Sequence, residues 1–266
     1  MNVRTYRKAF LISAALLIVS FSAPAQNNQP AAAAPKADAK SQAFDPHDLS
    51  GIWMAHNAPR SNFSMGGTVP PMTEWAQARH DAARPGLGPR GAPLGDDPIM
   101  GCDPMGYPRI MFWTNYPIEI LQIPGRTLMF FDWFYTYRTI WTDGRPLPAD
   151  PDPRFYGTST GKWDGDTFVI QSKGFDDRTW LDADGHPHSE DMTLEERFRR
   201  VSPDTIEYTM TITDPKAYKA PWVSAKMNMT RAEKGTGMRE DICVPSVEAK
   251  YKEEVRNPAG GATHTK

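Results

Sequence analysis

The sequence predicts a mainly β fold, an antiparallel β-barrel or a strongly curved sheet, with one short N-terminal helix and long Gly/Pro-rich loops. Three observations carry this expectation. Aromatic residues are abundant (Trp 8, Tyr 9, Phe 12) beside 25 prolines and 20 glycines, a pairing that suits strands joined by turns better than a helical bundle. Strand-like runs rich in apolar residues recur through the second half of the chain. Short turn sequences join those runs: Pro124-Gly125-Arg126, Asp164-Gly165 and Ser202-Pro203-Asp204. With 23% charged residues and a formal net charge of -2, the chain fits neither an acidic disordered protein nor a basic nucleic-acid binder.

At the N-terminus, Arg4, Arg7 and Lys8 precede an apolar run from about Ala9 to Phe21, then Ala23-Pro24-Ala25. The run is shorter than the ~20 apolar residues of a spanning helix. Residues 1–25 therefore read as a signal peptide, and the mature protein as periplasmic or secreted with no membrane span. Residues 26–43 contain almost no large apolar side chain and are expected to form a disordered linker. A single β-rich domain is expected over residues 44–261, with a flexible tail at 262–266. Cys102 and Cys243 are the two cysteines, and an oxidising compartment favours their disulfide. Closing a loop of on the order of 100 residues would contribute roughly 4 to 5 kcal/mol in the chain-entropy account. Two buried free thiols are the alternative, and no CxxC or Cys-His cluster indicates a metal or catalytic thiol.

The ordered part opens with Gly51-Ile52-Trp53, a G-x-W that resembles the first strand of a lipocalin-type barrel, so the expected barrel is lipocalin/calycin-like. Within residues 70–83, Thr73 is placed to cap a helix that ends before Arg84-Pro85-Gly86. Residues 85–108 read as irregular loop. Strands follow at 118–123 and 127–142. In the second of these, Phe130, Asp132, Phe134, Arg138 and Ile140 share one parity and so one expected face, which is either interior or solvent-facing. Further strands are expected at 155–163 and 166–172 around Asp164-Gly165, and at 194–201 and 205–213. Val223, Ala225, Met227 and Met229 alternate in another strand ending near Arg231, and a short one is expected near 238–243. The total is eight to ten antiparallel strands, for which a barrel or curved sheet is the natural arrangement.

Several segments have a familiar order: PPMTEWAQARHDAA, CDPMGYPR, PIEILQIPGR, IWTDGRPLP, YGTSTGKWDGDTFVI, GFDDRTWLDADGHPHSE, EERFRR, TITDPKAYKAPW and EDICVPS. Together they resemble a family of secreted bacterial proteins from soil and aquatic organisms, with GKWDGDTF and GHPHSE the most specific pieces. The resemblance covers roughly residues 44–261. It implies export and one domain, and it carries over no catalytic residue.

The richest polar segment lies within residues 176–197 and links two strand pairs, where binding and catalytic groups often sit. His186 and His188 flank Pro187, which favours an extended shape with both rings on one side. That spacing suits an acid/base pair or two metal ligands. The alternative is a solvated His186 and a His188 hydrogen-bonded to an aspartate. On the apolar strand, Asp132 and Arg138 need partners if they are interior, with Glu119 and Arg197, or a polar ligand, as candidates. The methionines Met227 and Met229 read as core rather than copper ligands. Ser159 lies in Gly157-Thr158-Ser159-Thr160-Gly161, where small residues mark a bend or close backbone approach rather than a nucleophile elbow.

Three functional readings follow. The leading one is a barrel binding a small apolar or aromatic molecule through Asp132, Arg138, Glu119, Phe130, Phe134 and Trp180. The second is a lyase, isomerase or hydrolase using His188 with Asp182 or Glu196 for proton transfer and Arg197 or Arg138 for an oxyanion. The third is a structural envelope protein. The sequence leaves open whether the chain is an enzyme. No cofactor, metal or nucleic-acid partner is assigned, the expected partner is a small-molecule ligand or substrate, and oligomeric state is not indicated.

Overall fold

A computed structural model describes residues 43–56, 68–86, 90–92, 95–112 and 116–259. The expected signal peptide, the linker apart from Ala43, and the tail lie outside the described residues. Ten strands are present among those described: β1 (Gly51–His56), β2 (Pro117–Ile123), β3 (Arg126–Phe131), β4 (Thr136–Trp141), β5 (Thr158–Asp164), β6 (Thr167–Lys173), β7 (Thr193–Ser202), β8 (Thr205–Thr213), β9 (Trp222–Val223) and β10 (Met227–Arg231). They pair in the order β10-β1-β2-β3-β4-β5-β6-β7-β8-β9, and β10 also pairs with β8. Nine strands therefore close a β-barrel, and the short β9 extends one end of β8 through Ile212 and Thr211. Helix α1 (Glu74–Ala82) is capped by Thr73 Oγ1, which accepts from the Ala76 N–H at 3.3 Å. A second helix, α2 (Pro245–Tyr251), follows Cys243. Among the described residues no helix is long and apolar enough to cross a membrane.

Alternation drives the closure. In β7, Leu194, Glu196, Phe198 and Arg200 are buried while Thr193, Arg197, Arg199 and Val201 are exposed, the period-two pattern of a strand with one face on a core. The interior is filled largely by side chains, with Trp53, Phe131, Phe168, Phe198, Tyr208, Met227 and Met229 all buried. The gap bounded by Leu49, Ile120, Thr127, Met129, Phe168, Ile170 and Phe198 is too small for a water molecule. This part of the barrel is a packed core, unlike a barrel that carries its ligand in a central cup.

Four sequence expectations need correction. Residues 127–142 are not one strand: after Phe131 the chain reverses through Trp133–Tyr135, with Phe134 at φ 55° and Tyr135 at φ 45°. Strand β4 then returns antiparallel beside β3, pairing Met129 with Arg138. Parity is lost across that turn, so Arg138 and Ile140 are buried while Phe130 and Tyr137 sit on the outer side. The strand expected through Val223 to Arg231 breaks at residues 224–226. There Ser224 Oγ takes the Met210 N–H at 3.0 Å that a ladder carbonyl would otherwise accept. Near 238–243 there is no strand, because Pro245 begins α2 instead. Finally, β4 and β5 run parallel, pairing Ile140 with Ser159 and Trp141 with Thr160.

The expected tight turn exists but is displaced by one residue. Asp164 pairs with Thr167, so Gly165 and Asp166 form the loop, and Gly165 takes φ 55°, which a first central position of a type II′ turn requires. Cys102 and Cys243 form the expected disulfide. It ties the segment after β10 to the loop before β2, and Asp132 reinforces that tie. Fully buried, Asp132 accepts from the Arg239 backbone N–H and, at 2.6 Å, from its Nε.

Candidate functional site

Where β4 and β5 meet, the wall of the barrel opens. Their two-residue pairing begins at Ile140, so Tyr137 and Thr139 of β4 face a turn at Arg154–Gly157 instead of a strand. Gly157 enables that turn. It has φ 62°, and a Cβ there would stand 2.7 Å from Phe175 Cε1 and 3.0 Å from Lys173 O, so a side chain is excluded on both counts. The result is a cleft of about 530 Å³ lined by Tyr137, Trp141, Phe155 and Tyr156, by Arg138, Arg154 and Arg178, and by Asp176. Arg178 is held by Asp176 at 2.8 Å and lies 4.8 Å over the Phe155 ring. Trp141 is backed by Arg145 at 3.7 Å, itself held by Asp143. Burial pushes the Tyr156 hydroxyl up to about 12, so it stays protonated at neutral pH. Among the described residues, the Arg154 guanidinium has no carboxylate partner.

The floor of the cleft reaches a buried polar network. Arg138 Nη2 donates to Glu196 Oε2 at 2.5 Å, to Ser172 Oγ at 2.7 Å and to Ser159 Oγ at 3.0 Å. Glu196 Oε1 accepts from Tyr107 and, at 2.9 Å, from Tyr208. The guanidinium also lies 3.9 Å over the Tyr107 ring. Burial works against the charge on Arg138, yet the Glu196 carboxylate outweighs it and raises the pKa. Burial first, and Glu196 second, push both tyrosines well above their ordinary range. The network is a neutral assembly, Arg138 with Glu196, whose remaining oxygen is capped by hydroxyls. Arg138 Nη1 is buried with no hydrogen-bond partner among the described residues.

Sequence reasoning placed catalysis on His188, Asp182, Glu196 and Arg197, and the structure does not bring these four together. His188 is fully buried; its Nδ1 faces the Ser189 carbonyl at 3.1 Å and its Nε2 faces Thr179 Oγ1 at 2.8 Å. A carbonyl can only accept, so Nδ1 carries the proton and Nε2 accepts from Thr179. Burial lowers the His188 pKa, and the ring is a neutral strut with both nitrogens engaged. Asp182 bonds His186 Nδ1 at 2.6 Å, not His188, so His186 is a buried partner and not a solvated turn residue. Glu196 belongs to the core network. Arg197 points outward on β7, where Asp164 and Glu195 lie at 3.3 Å. Ser189 and Asp214 lock the whole connection, with Ser189 Oγ donating to Asp214 at 2.8 Å.

Of the expected ligand-binding residues, Arg138 alone lines the cleft. Its partner is Glu196 and that of Asp132 is Arg239, in place of the Glu119 and Arg197 expected from sequence. Glu119 and Phe130 pair across β2 and β3 on the outer face. Phe134 stacks on Trp133 in the reversing turn. Trp180 borders a different cleft, of about 350 Å³, with Arg79, Asp96, Asp177 and Thr179. Sequence reasoning missed Tyr107, Tyr208, Ser172, Arg154, Phe155 and Tyr156 as site residues. One available signal was Phe155-Tyr156 directly ahead of the small-residue run that contains Ser159.

No protein-family model, curated protein or solved structure matches the chain.

Proposed function

We propose that this is an exported binding protein that takes a small aromatic molecule carrying an anionic group into the β4–β5 cleft. The observation that carries the reading is the composition of that cleft: four aromatic side chains, and Arg154 as a cation with no carboxylate partner among the described residues. Small-molecule sites are commonly concave, largely apolar and furnished with a few convergent polar groups. The disulfide and the signal-like N-terminus support export. The resemblance to a secreted bacterial family supports it in the same direction. Proton-transfer catalysis gains no comparable support, because the histidine it needs is buried and fully bonded.

The direct test is titration with 1-anilinonaphthalene-8-sulfonate, an anionic aromatic fluorophore. Saturable binding at one site is expected, weakened at least about tenfold by Arg154→Ala, on the scale of one charge-assisted contact. Trp141→Ala should weaken it as well. Mass spectrometry of small molecules co-purified from the native source would then identify the physiological ligand class. Binding that is absent, or equal in wild type and both variants, would reject the cleft as the site and leave a structural role as the better reading.

A further inference from the structure

Away from the cleft, a second group of side chains has donor chemistry that the binding reading does not use. Helix α1 carries His80 in its last turn. The loop holding Asp184 and His186 crosses the end of α1 at Gly185, where a Cβ would stand 2.9 Å from Ala83 Cβ. This close approach brings one donor atom each of His80, Asp184 and His186 within 4.8 Å of one another. The imidazoles stack with centroids 4.6 Å apart, and His80 Nε2 lies 3.8 Å from Asp184 Oδ2.

Asp182 supplies what is normally found behind a metal-bound histidine. Its Oδ2 accepts from His186 Nδ1 at 2.6 Å, while Oδ1 accepts from the backbone N–H groups of Asp184 and His186 at 2.9 and 3.2 Å. A carboxylate on Nδ1 fixes the tautomer and leaves the Nε2 lone pair of His186 outward as a ligand. Asp184 Oδ1 and His80 Nδ1 are buried without hydrogen-bond partners among the described residues. A cation already stands at this position: Arg90 Nη1 donates to His80 Nε2 at 2.8 Å and to the Asp184 carbonyl at 3.0 Å.

We propose that His80, Asp184 and His186 form a binding site for a divalent transition-metal ion of the zinc type, with Asp182 positioning His186 and Arg90 acting as a displaceable cation in the ion's place. Two imidazoles and one carboxylate match zinc and its neighbours, whereas magnesium and calcium prefer all-oxygen sets. Zinc bonds of about 2.0 to 2.2 Å place ligand atoms roughly 3.3 Å apart in a tetrahedron. Binding therefore draws the donors inward. Asp182 fixes His186, so His80 is the ring that turns out of the stack, breaking its bond to Arg90 Nη1 while Arg90 Nη2 stays on the His80 and Ala83 carbonyls at 2.6 and 3.0 Å.

The test uses the full, untagged chain stripped with a chelator, and Zn²⁺ alone as probe, read by competition against a chromophoric chelator. One Zn²⁺ per chain is expected. His80→Gln and Asp184→Asn should each weaken binding at least tenfold, and Arg90→Ala should tighten it. His80 is partly buried, with 13% of its side chain exposed, and Gln keeps a polar side chain of similar reach there, so His80→Gln is expected to fold, checked by circular dichroism. Co²⁺ in place of Zn²⁺ should give the visible absorption of a tetrahedral centre in wild type and lose it in His80→Gln. A wild-type chain that binds no stoichiometric Zn²⁺, or binding unchanged in His80→Gln, overturns the proposal, as does an Arg90→Ala chain that binds no tighter.

Discussion

Glu196→Gln is the most informative single change in this protein. It keeps the volume of the side chain and removes one negative charge from a place where Arg138 and Glu196 are both almost fully buried. The guanidinium would keep Ser159 and Ser172 as partners and lose the only carboxylate it bonds among the described residues. Breaking a buried ion pair by removing one partner costs about 3 to 5 kcal/mol, because an uncompensated charge is left inside. For a domain of this size each 1 kcal/mol moves the melting temperature by roughly 2 to 4 °C, so a drop of about 6 to 20 °C is expected. Urea unfolding gives the free energy directly through the shift in midpoint at unchanged slope. The double variant Arg138→Met/Glu196→Leu separates the charge effect from packing. It should be less destabilised than the sum of Arg138→Met and Glu196→Leu by at least about 2 kcal/mol, since neither charge remains without its partner. A cost below about 1 kcal/mol for Glu196→Gln, or strict additivity in the cycle, would refute the account of Arg138 as a buried charge held by Glu196.

Other outcomes follow from local geometry. Gly165→Val should cost roughly 1 kcal/mol or more in urea unfolding, because Gly165 sits at φ 55° with open space around it and the penalty is conformational. Gly157→Ala should cost more than Gly165→Ala in the same assay, since its Cβ also collides with Phe175. Titration of free thiols under denaturing, non-reducing conditions should find close to none, given the Cys102–Cys243 bond; two per chain would reject it. Stability should fall on acidification. Burial holds the His188 pKa below 6.5 in the folded state, so from pH 6.5 downward the unfolded chain takes a proton that the folded chain does not, until the folded pKa is passed. That term is at most about 1.4 kcal/mol per pH unit, and unfolding measured from pH 7.5 to 5 should show a shallower slope in His188→Gln.

The hairpins were legible in the sequence because their signals are local: Gly125 and Gly165 both take positive φ at their turns, and each turn is two residues long. The reversal at Phe134 and Tyr135 was not legible. Those aromatic residues adopt the left-handed region without a Gly or Pro to announce it, and an uninterrupted apolar run reads as one strand. That one hidden turn inverted the facing of Phe130 relative to Arg138 and misdirected the ligand-binding assignment. The importance of Arg138 was still readable, because a charge on an apolar strand must find a partner wherever the strand lies. The identity of the partner was not, since Glu196 comes from β7 and no local pattern links it to β4. In the same way the sequence offers Asp182 or Glu196 to His188, and tertiary packing gives Asp182 to His186 instead.

The parallel β4–β5 pair has a consequence that follows from counting. Around a closed ring, strand directions can alternate perfectly only when their number is even. Nine is odd, so at least one neighbouring pair must point the same way, whatever the side chains are. Two strands pointing the same way cannot be joined by a tight turn and need a long excursion of chain to return to the starting end. Here that excursion ends in Pro153, Arg154, Phe155 and Tyr156. The weak point in the wall and the residues that furnish it thus arise from the same arithmetic. Substitution can reshape this opening, but closing the wall without a same-direction pair would require a tenth strand in the ring or the loss of one.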